Sequence, residues 1–273
     1  MSGRPVPVVI SIAGSDSGGG AGIQADLKAF ARAGVHGTTA ITAITVQNTV
    51  GVTGVHPVPP ATIQAQVRAV AEDLGIDAVK IGMLGDAATI GAVAEVLDEL
   101  PEGTPVVLDP VMIAESGARL LEQEAEDALA HLLLSRATVV TPNVPEAQAL
   151  TGLPGGATAE DLVRAVHRLG PTVAIVTGGH REEATDLLFD GEALTQIPGE
   201  RHPDGAAHGS GCTHSSTLAA RLAFGDDPVE AARVAKVTAA QAVLDGLRGI
   251  GEGPGPVDVF GLAKRAANAP ALP

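Results

Sequence analysis

Val6-Pro7-Val8-Val9-Ile10-Ser11-Ile12-Ala13 runs without a break into Gly14-Ser15-Asp16-Ser17-Gly18-Gly19-Gly20-Ala21-Gly22. The first stretch is a near-continuous apolar run, the pattern of a strand buried on both faces, and the second is a glycine-rich turn. Beyond the turn, Ile23, Leu27 and Phe30 recur at helical spacing, and Gly34 stands where a helix would stop. Strand, turn and helix make one unit of an alternating fold, and the chain repeats it. Thr39 to Val46, Ala78 to Ile81, Val106 to Leu108, Thr138 to Thr141 and Val173 to Thr177 read as further strands. Helical stripes fit between them at Ile63, Val67, Val70 and Leu74, at Ile90, Val93 and Leu97, and at Leu162, Val166 and Leu169. A capping box of Thr158 and Asp161 opens the last of these. The alternation predicts an α/β fold with a mostly parallel sheet, helices on both faces, and ligands at the carboxyl ends of the strands. After Thr177 the segments Ala184 to Asp190 and Ala193 to Pro198 flank Asp190-Gly191 as a hairpin. Two long helices should close the chain, one from near Thr213 and one from near Pro228 behind an Asp227 cap. No repeat or linker interrupts residues 1–273, so one domain is expected.

Composition restricts the partners. Of 273 residues 45% are apolar, enough for a sizeable core, and 32 acidic against 17 basic residues give a net charge of −15. That balance argues against nucleic acid or an anionic membrane as a partner. Small anions stay admissible, because a pocket of backbone N–H groups holds phosphate whatever the net charge. Cys212 is the sole cysteine, which excludes an internal disulfide and a cysteine-rich zinc site and suits a reducing cytoplasm. Val8 to Ala13 is too short for a secretory core and has only Arg4 before it, and no run approaches the ~20 apolar residues of a membrane span. A soluble protein is expected. With no Trp or Tyr, and Phe30, Phe189, Phe224 and Phe260 the only aromatics, a flat heterocycle would be held by aliphatic side chains, backbone and polar edge contacts.

Four segments carry chemistry, and each has a plain structural alternative. Gly14 to Gly22 is either an anion-binding loop or a tight strand-to-helix connection, since it matches neither common nucleotide-loop spacing. His208-Gly209-Ser210-Gly211-Cys212-Thr213-His214 precedes a helical stretch. Its bare backbone N–H groups at a helix start would form an anion hole for a moving phosphoryl group, and the same geometry would lower the Cys212 thiol pKa. The alternative is a buried cysteine beside a glycine turn. Asn143 and Glu146, three residues apart in Thr141-Pro142-Asn143-Val144-Pro145-Glu146, would share a helix face and orient Mg²⁺, or simply cap a helix. Asp109, in Asp109-Pro110-Val111-Met112, is a metal carboxylate or a turn former.

Taken in order, with Gln24-Ala25-Asp26-Leu27-Lys28, Gln47-Asn48-Thr49 and Lys80-Ile81-Gly82-Met83-Leu84, these segments closely resemble the hydroxymethylpyrimidine/phosphomethylpyrimidine kinases of thiamine biosynthesis over nearly the whole chain. The resemblance implies a ribokinase-like three-layer α/β/α sandwich and ATP- and Mg²⁺-dependent phosphorylation of a pyrimidine hydroxymethyl group, then of the monophosphate. A cysteine at the position of Cys212, in place of the superfamily's usual Asp, marks this branch and its pyridoxal-kinase relatives. By the same resemblance Cys212 helps activate the hydroxyl, Gly209, Ser210 and Gly211 stabilise the moving charge, and Gln47 hydrogen-bonds the pyrimidine edge. Gly14, Ala21, Asp26, Met83 and Val111 line that pocket, Asn143, Thr177, Gly179 and Lys236 face ATP, and Asp109 and Glu146 hold Mg²⁺. A homodimer is also implied.

Three family lysines are missing. Thr177 stands before Gly178-Gly179-His180, His202 to Ala207 offers no lysine, and Glu115 replaces a third. Since charge-assisted contacts to phosphate are the stronger ones, the loss bears on ATP binding, with Arg181, Lys236 and His208 the candidates to compensate. The competing readings are a pyridoxal kinase on the same scaffold and a pyrimidine-binding protein that has lost catalysis.

Overall fold

In a computed structural model of the chain, residues 4–268 are described, apart from 114–116, 118, 123 and 179–183. Glu115, Gly179 and Arg181 therefore lie outside the described residues. The strands are β1 (Val8–Asp16), β2 (His36–Gln47), β3 (Val52–Pro57), β4 (Ala78–Ile81), β5 (Val106–Leu108), β6 (Val139–Val140), β7 (Val173–Val176), β8 (Asp186–Phe189) and β9 (Leu194–Ile197). They form one sheet in the order β3-β2-β1-β4-β5-β6-β7-β8-β9. From β2 through β7 every pairing is parallel, while β3, β8 and β9 pair antiparallel. The order reverses between β1 and β4, and such a switch point leaves a crevice at the carboxyl ends of the strands.

The helices are α1 (Gly22–Ala33), α2 (Pro60–Asp73), α3 (Ala87–Leu97), α4 (Ala125–Leu132), α5 (Val144–Thr151), α6 (Ala159–His167), α7 (Ser210–Ala223), α8 (Pro228–Leu244) and α9 (Leu262–Ala267). Because successive strand residues point to opposite faces, each strand feeds two cores. Ile10, Ile12, Val79, Ile81, Leu108 and Val140 pack against Ile63 and Val67 of α2, Ile90 and Val93 of α3, Leu129 of α4 and Leu162 and Val166 of α6. Their neighbours Val9, Ala78, Val107, Val139 and Val173 pack on the other face against Phe30 of α1, Leu218 and Leu222 of α7 and Ala231 and Ala235 of α8. This is the expected three-layer sandwich.

Local signals hold where the chain is buried or capped. Gly34 ends α1 with φ 86°, Thr158 and Asp161 form their capping box, and Asp227 accepts from the N–H groups of Val229 and Glu230. The hairpin turns at Asp190-Gly191, with the Asp190 carboxylate accepting from the N–H of Glu192 and of Ala193. Several features depart from the sequence reading. β1 runs on to Asp16, past an irregularity between Ala13 and Ser15, because Ser15 and Asp16 still pair with β2. β3 was not foreseen: it is an edge strand and nearly all of it is solvated, so it carries no apolar alternation to read. A short α9 follows the two long closing helices. No helix among the described residues is long and apolar enough to cross a membrane.

Candidate active site

At the carboxyl ends of β1, β4, β5, β6 and β7 lies a cleft of about 480 Å³. The two glycine-rich segments meet on its wall. The Asp16 carboxylate, at the end of β1, accepts hydrogen bonds from the N–H groups of Gly18 (2.7 Å), Gly20 (2.9 Å) and Ala21 (2.8 Å). His208 Nε2 lies 3.2 Å from Asp16 Oδ2 and joins the second segment to the first. Burial opposes ionisation of Asp16, but His208 and the N–H groups of Ala21 and Gly18 outweigh it and hold the carboxyl below the usual range. Two glycines are forced by the approach. A Cβ on Gly209, whose φ is +87°, would stand 1.8 Å from the Gly20 carbonyl oxygen, and one on Gly20 would stand 2.1 Å from the His208 ring.

Gly209 is the N-cap of α7, and Ser210, Gly211 and Cys212 are its first three residues. The Ser210 N–H is taken by the Ala207 carbonyl and the Thr213 N–H by Gly209. Those of Gly211 and Cys212, lying between, belong to the helix start that has no intrahelical acceptor. A Cβ on Gly211 would meet nothing within 4 Å, so the helix start faces open cleft, a shape and polarity that fit a phosphate group. Cys212 departs from its expectation. Its thiol lies in the cleft wall, where burial pushes it up to about 12, with Lys80 and the Gly22 N–H pulling the other way and Asp26 and Asp109 adding to the rise. Desolvation of the thiolate is the largest influence on it, although the residue is only half-buried.

Beneath α7 sits a cluster of buried charges. Lys80, fully buried in β4, pairs with Asp26 at 2.9 Å. The Asp26 carboxylate also accepts from Ser11 (2.5 Å) and Ser216 (2.7 Å). Asp26 was expected to line the pocket; instead it is wholly enclosed, serving as the counter-ion of Lys80, because a charged lysine in a strand core needs one. Burial opposes the Lys80 charge, but Asp26, Cys212 and Asp109 hold the ammonium above its usual range. Asp109, just past β5, accepts from Ser215 at 2.9 Å. Burial raises its carboxyl against the pull of Lys80 and Ser215.

Asn143 and Glu146 form a reciprocal capping box on α5, each side chain accepting from the other's backbone N–H at 2.9 Å. The capping reading is therefore realised, and it does not preclude a further role, since both residues also line the cleft. Burial and the charge of Asp109 push the Glu146 carboxyl up to about 8, against the N–H groups of Asn143 and Met112. Among the described residues no cluster of three or more His, Cys, Asp or Glu gathers into a metal site. Asp109 and Glu146 are two carboxylates competing for ionisation in one cleft, a donor set that fits a divalent cation whose other ligands are phosphate oxygens and water.

Of the other expected residues, Gln47, Gly14, Ala21, Met83, Val111, Thr177 and Lys236 all line the cleft. Gln47 Oε1 accepts from Thr45 Oγ1 at 3.1 Å, which leaves the amide –NH₂ to donate. Lys236 Nζ is tied to Asp186 at 2.6 Å. Sequence reasoning passed over Lys80, Asp16, Asp186 and His214. Asp186, in β8, accepts from the Gly178 N–H at 2.7 Å and lies 3.5 Å from His214 Nε2. Burial opposes its ionisation, and His214, Lys236 and Gly178 more than offset that. The available signal was a charged residue inside a strand otherwise apolar, at Lys80 and at Asp186.

A mostly parallel sheet flanked by helices, with an open helix start and buried carboxylates at its carboxyl ends, fits a phosphotransferase, and the solved kinases it matches place it in the ribokinase-like class. Known proteins narrow the class. The chain belongs to the phosphomethylpyrimidine kinase family, whose model matches residues 16–258. It is 47% identical over 266 residues to the hydroxymethylpyrimidine/phosphomethylpyrimidine kinase of Haemophilus influenzae, covering 93% of this chain and 96% of that one. Phosphomethylpyrimidine kinase from Clostridium difficile superposes with a TM-score of 0.74 at 39% identity, covering 84% of this chain and 96% of that one. Pyridoxal kinase from Staphylococcus aureus, solved with AMP-PCP and pyridoxal, superposes with a TM-score of 0.83 at 33% identity, covering 93% and 94% of the two chains.

Proposed function

We propose that this chain transfers the γ-phosphoryl group of ATP to the hydroxymethyl group of 4-amino-5-hydroxymethyl-2-methylpyrimidine, and then phosphorylates the resulting monophosphate, in thiamine biosynthesis. One observation carries the reading: a single cleft holds Gln47, the Gly209 to Cys212 helix start and the Asp109 and Glu146 carboxylates, in a chain of this family. Gln47 donates to the pyrimidine edge, and Gly14, Ala21, Met83 and Val111 enclose the ring. The N–H groups of Gly211 and Cys212 stabilise charge on the transferring phosphoryl, aided by Ser210. Cys212 accepts the hydroxyl proton through its thiolate, the minor form of a thiol that burial raises. Asn143 and Thr177 face the nucleotide; Lys236, already paired to Asp186, leaves less charge for phosphate than the family's lysines would. Asp109 and Glu146 would hold Mg²⁺, which supplies charge neutralisation to the nucleotide phosphates when bound.

The chain works as one kinase domain in the cytoplasm. A homodimer is supported by Ile44, Val46, Val50 and Val55, exposed along β2, β3 and the turn between them, a surface a second copy would cover; sedimentation at monomer mass counts against it.

The test is a substrate panel of the hydroxymethylpyrimidine, its monophosphate and pyridoxal at fixed ATP and Mg²⁺. Both pyrimidines should turn over, and Cys212→Ala should cut the rate by about 10²- to 10⁴-fold, the range of a proton-transfer group. Preferential turnover of pyridoxal would move the chain to the pyridoxal-kinase reading, which its likeness to the solved pyridoxal kinase favours. Calorimetric binding of the pyrimidine without ATP binding or turnover would mark a lapsed enzyme.

A further inference from the structure

We infer that Lys80 is a positioning residue of the transfer reaction: its ammonium, fixed by Asp26 beneath the first turns of α7, is the buried positive charge that favours an anion at Cys212. The inference rests on the kinase reading. Its geometry begins with strand alternation. Ala78 points into the α1/α7 core, so Lys80, two residues on in β4, points the same way, into a fully buried position between Val107 of β5 and Ser11 of β1. A lysine there is costly unless its charge is used or paired.

The pairing places the charge under the helix start. Asp26 Oδ1 is held from two sides, by Lys80 Nζ at 2.9 Å and by Ser216 Oγ at 2.7 Å. Ser216 lies four residues after Cys212, so the two share one face of α7. Ser215, the next residue back, binds Asp109 at 2.9 Å. Consecutive serines thus moor α7 to the two carboxylates that neighbour Lys80. The room is tight: a Cβ on Gly82 would stand 2.8 Å from Lys80 Nζ. Both Lys80 and Cys212 reach the cleft, and Lys80 is the largest influence drawing the thiol back down against burial.

The chemistry follows. The thiolate form of Cys212, its own proton lost to solvent beforehand, takes the proton of the substrate hydroxyl. The oxygen's electron pair forms the new P–O bond, and the pair of the broken P–O bond leaves with ADP. Lys80, held by Asp26, acts through Cys212.

Because Cys212 is the sole cysteine, iodoacetamide alkylation at fixed pH reads its reactivity with no competing thiol and no substrate. In Lys80→Met, kcat should fall about 10²-fold with KM for ATP and pyrimidine within about threefold, the pattern of a lost transition-state effect. Alkylation of Cys212 should slow by about tenfold or more. The double variant Lys80→Met with Asp26→Asn removes both charges; it should recover thermal stability while kcat and alkylation stay depressed, and it carries both readouts if the single variant does not fold. Restoration of kcat and alkylation in the double variant would show that Lys80 merely neutralises Asp26, and overturn the inference. Unchanged alkylation in Lys80→Met would overturn it as well. Slowed alkylation in a protein that phosphorylates nothing on the panel would support the coupling of Lys80 to Cys212 while removing the kinase reading.

Discussion

The two faces of the central sheet share the same strands and bury different things. On the α2 to α6 face, Ile10, Ile12, Val79, Ile81 and Leu108 belong to one apolar cluster that runs from amino to carboxyl end. On the α1/α7 face the strands begin the same way, with Val9, Ala78 and Val107. Two residues further on, the side chains are Ser11, Lys80 and Asp109, joined by Asp26, Ser215 and Ser216. Ser11 and Lys80 are direct partners across the β1–β4 ladder. Apolar burial stabilises by roughly 25 cal/mol per Å², whereas a buried ion cluster is weak evidence of stability. The first face is therefore apolar along its whole cluster, whereas the second is apolar at its amino end and charged at its carboxyl end.

Truncating each face should separate the two roles. Leu162→Ala, at a fully buried position of α6, should cost about 2–5 kcal/mol in urea unfolding and leave kcat per folded molecule unchanged. Asp109→Asn should do the reverse: kcat falls by about 10²-fold, equivalent to about 2.7 kcal/mol, while the unliganded protein melts no lower, because a carboxyl that burial already disfavours is exchanged for a neutral amide. If Asp109→Asn lowered the melting temperature as much as Leu162→Ala, the division between faces would fail.

How far the sequence could be read follows the same division. Parallel strands covered on both sides are runs of Val, Ile and Ala, so β1, β4, β5 and β7 were legible within two or three residues. Caps at Thr158, Asp227 and Asn143 were legible because each depends on a spacing of two or three. β3 was not, since an edge strand facing solvent leaves no alternation. The Asp16–His208 contact spans 192 residues, and no local pattern encodes it. Asp26 was recognisable as a residue that matters, but only the packing of α1 against β1 and α7, beside β4, shows that it faces Lys80. Cys212 was placed at a helix start, yet the sign of its shift turns on desolvation and on the nearby Asp26 and Asp109, which spacing does not report.

The charged end of the sheet should also set the pH dependence of stability. Glu146 titrates near 8 in the fold against an ordinary 4.5, so between those values the native chain holds a proton the unfolded chain has lost. Its contribution is fully present below ~4.5 and is lost as pH rises through ~8. Asp16 and Asp186 are held low, and their contribution runs the other way, present above the ordinary carboxylate range and lost as pH falls. Urea unfolding of the unliganded protein from pH ~5 to ~9 should show a decline that Glu146→Gln flattens. Mg²⁺ with ADP should flatten it in the unmodified protein, because a bound cation favours the ionised carboxylate. A decline that persists in Glu146→Gln would assign it to another group.

The smallest effect belongs to Asn143, at the seam of the two faces. Its side chain caps α5, which packs Ala147 into the apolar core, and it also lines the cleft. Asn143→Ala should cost about 1 kcal/mol, the usual value of a lost N-cap, and Asn143→Asp should recover it, since an aspartate caps equally well and favours the helix N-terminus. Beside phosphate the order changes: aspartate brings a negative charge to the nucleotide and should raise KM for ATP more than alanine does. If both variants raise KM alike, the cap alone matters and Asn143 belongs with the apolar face. If KM follows charge while stability follows capping, one side chain serves both faces at the point where they join.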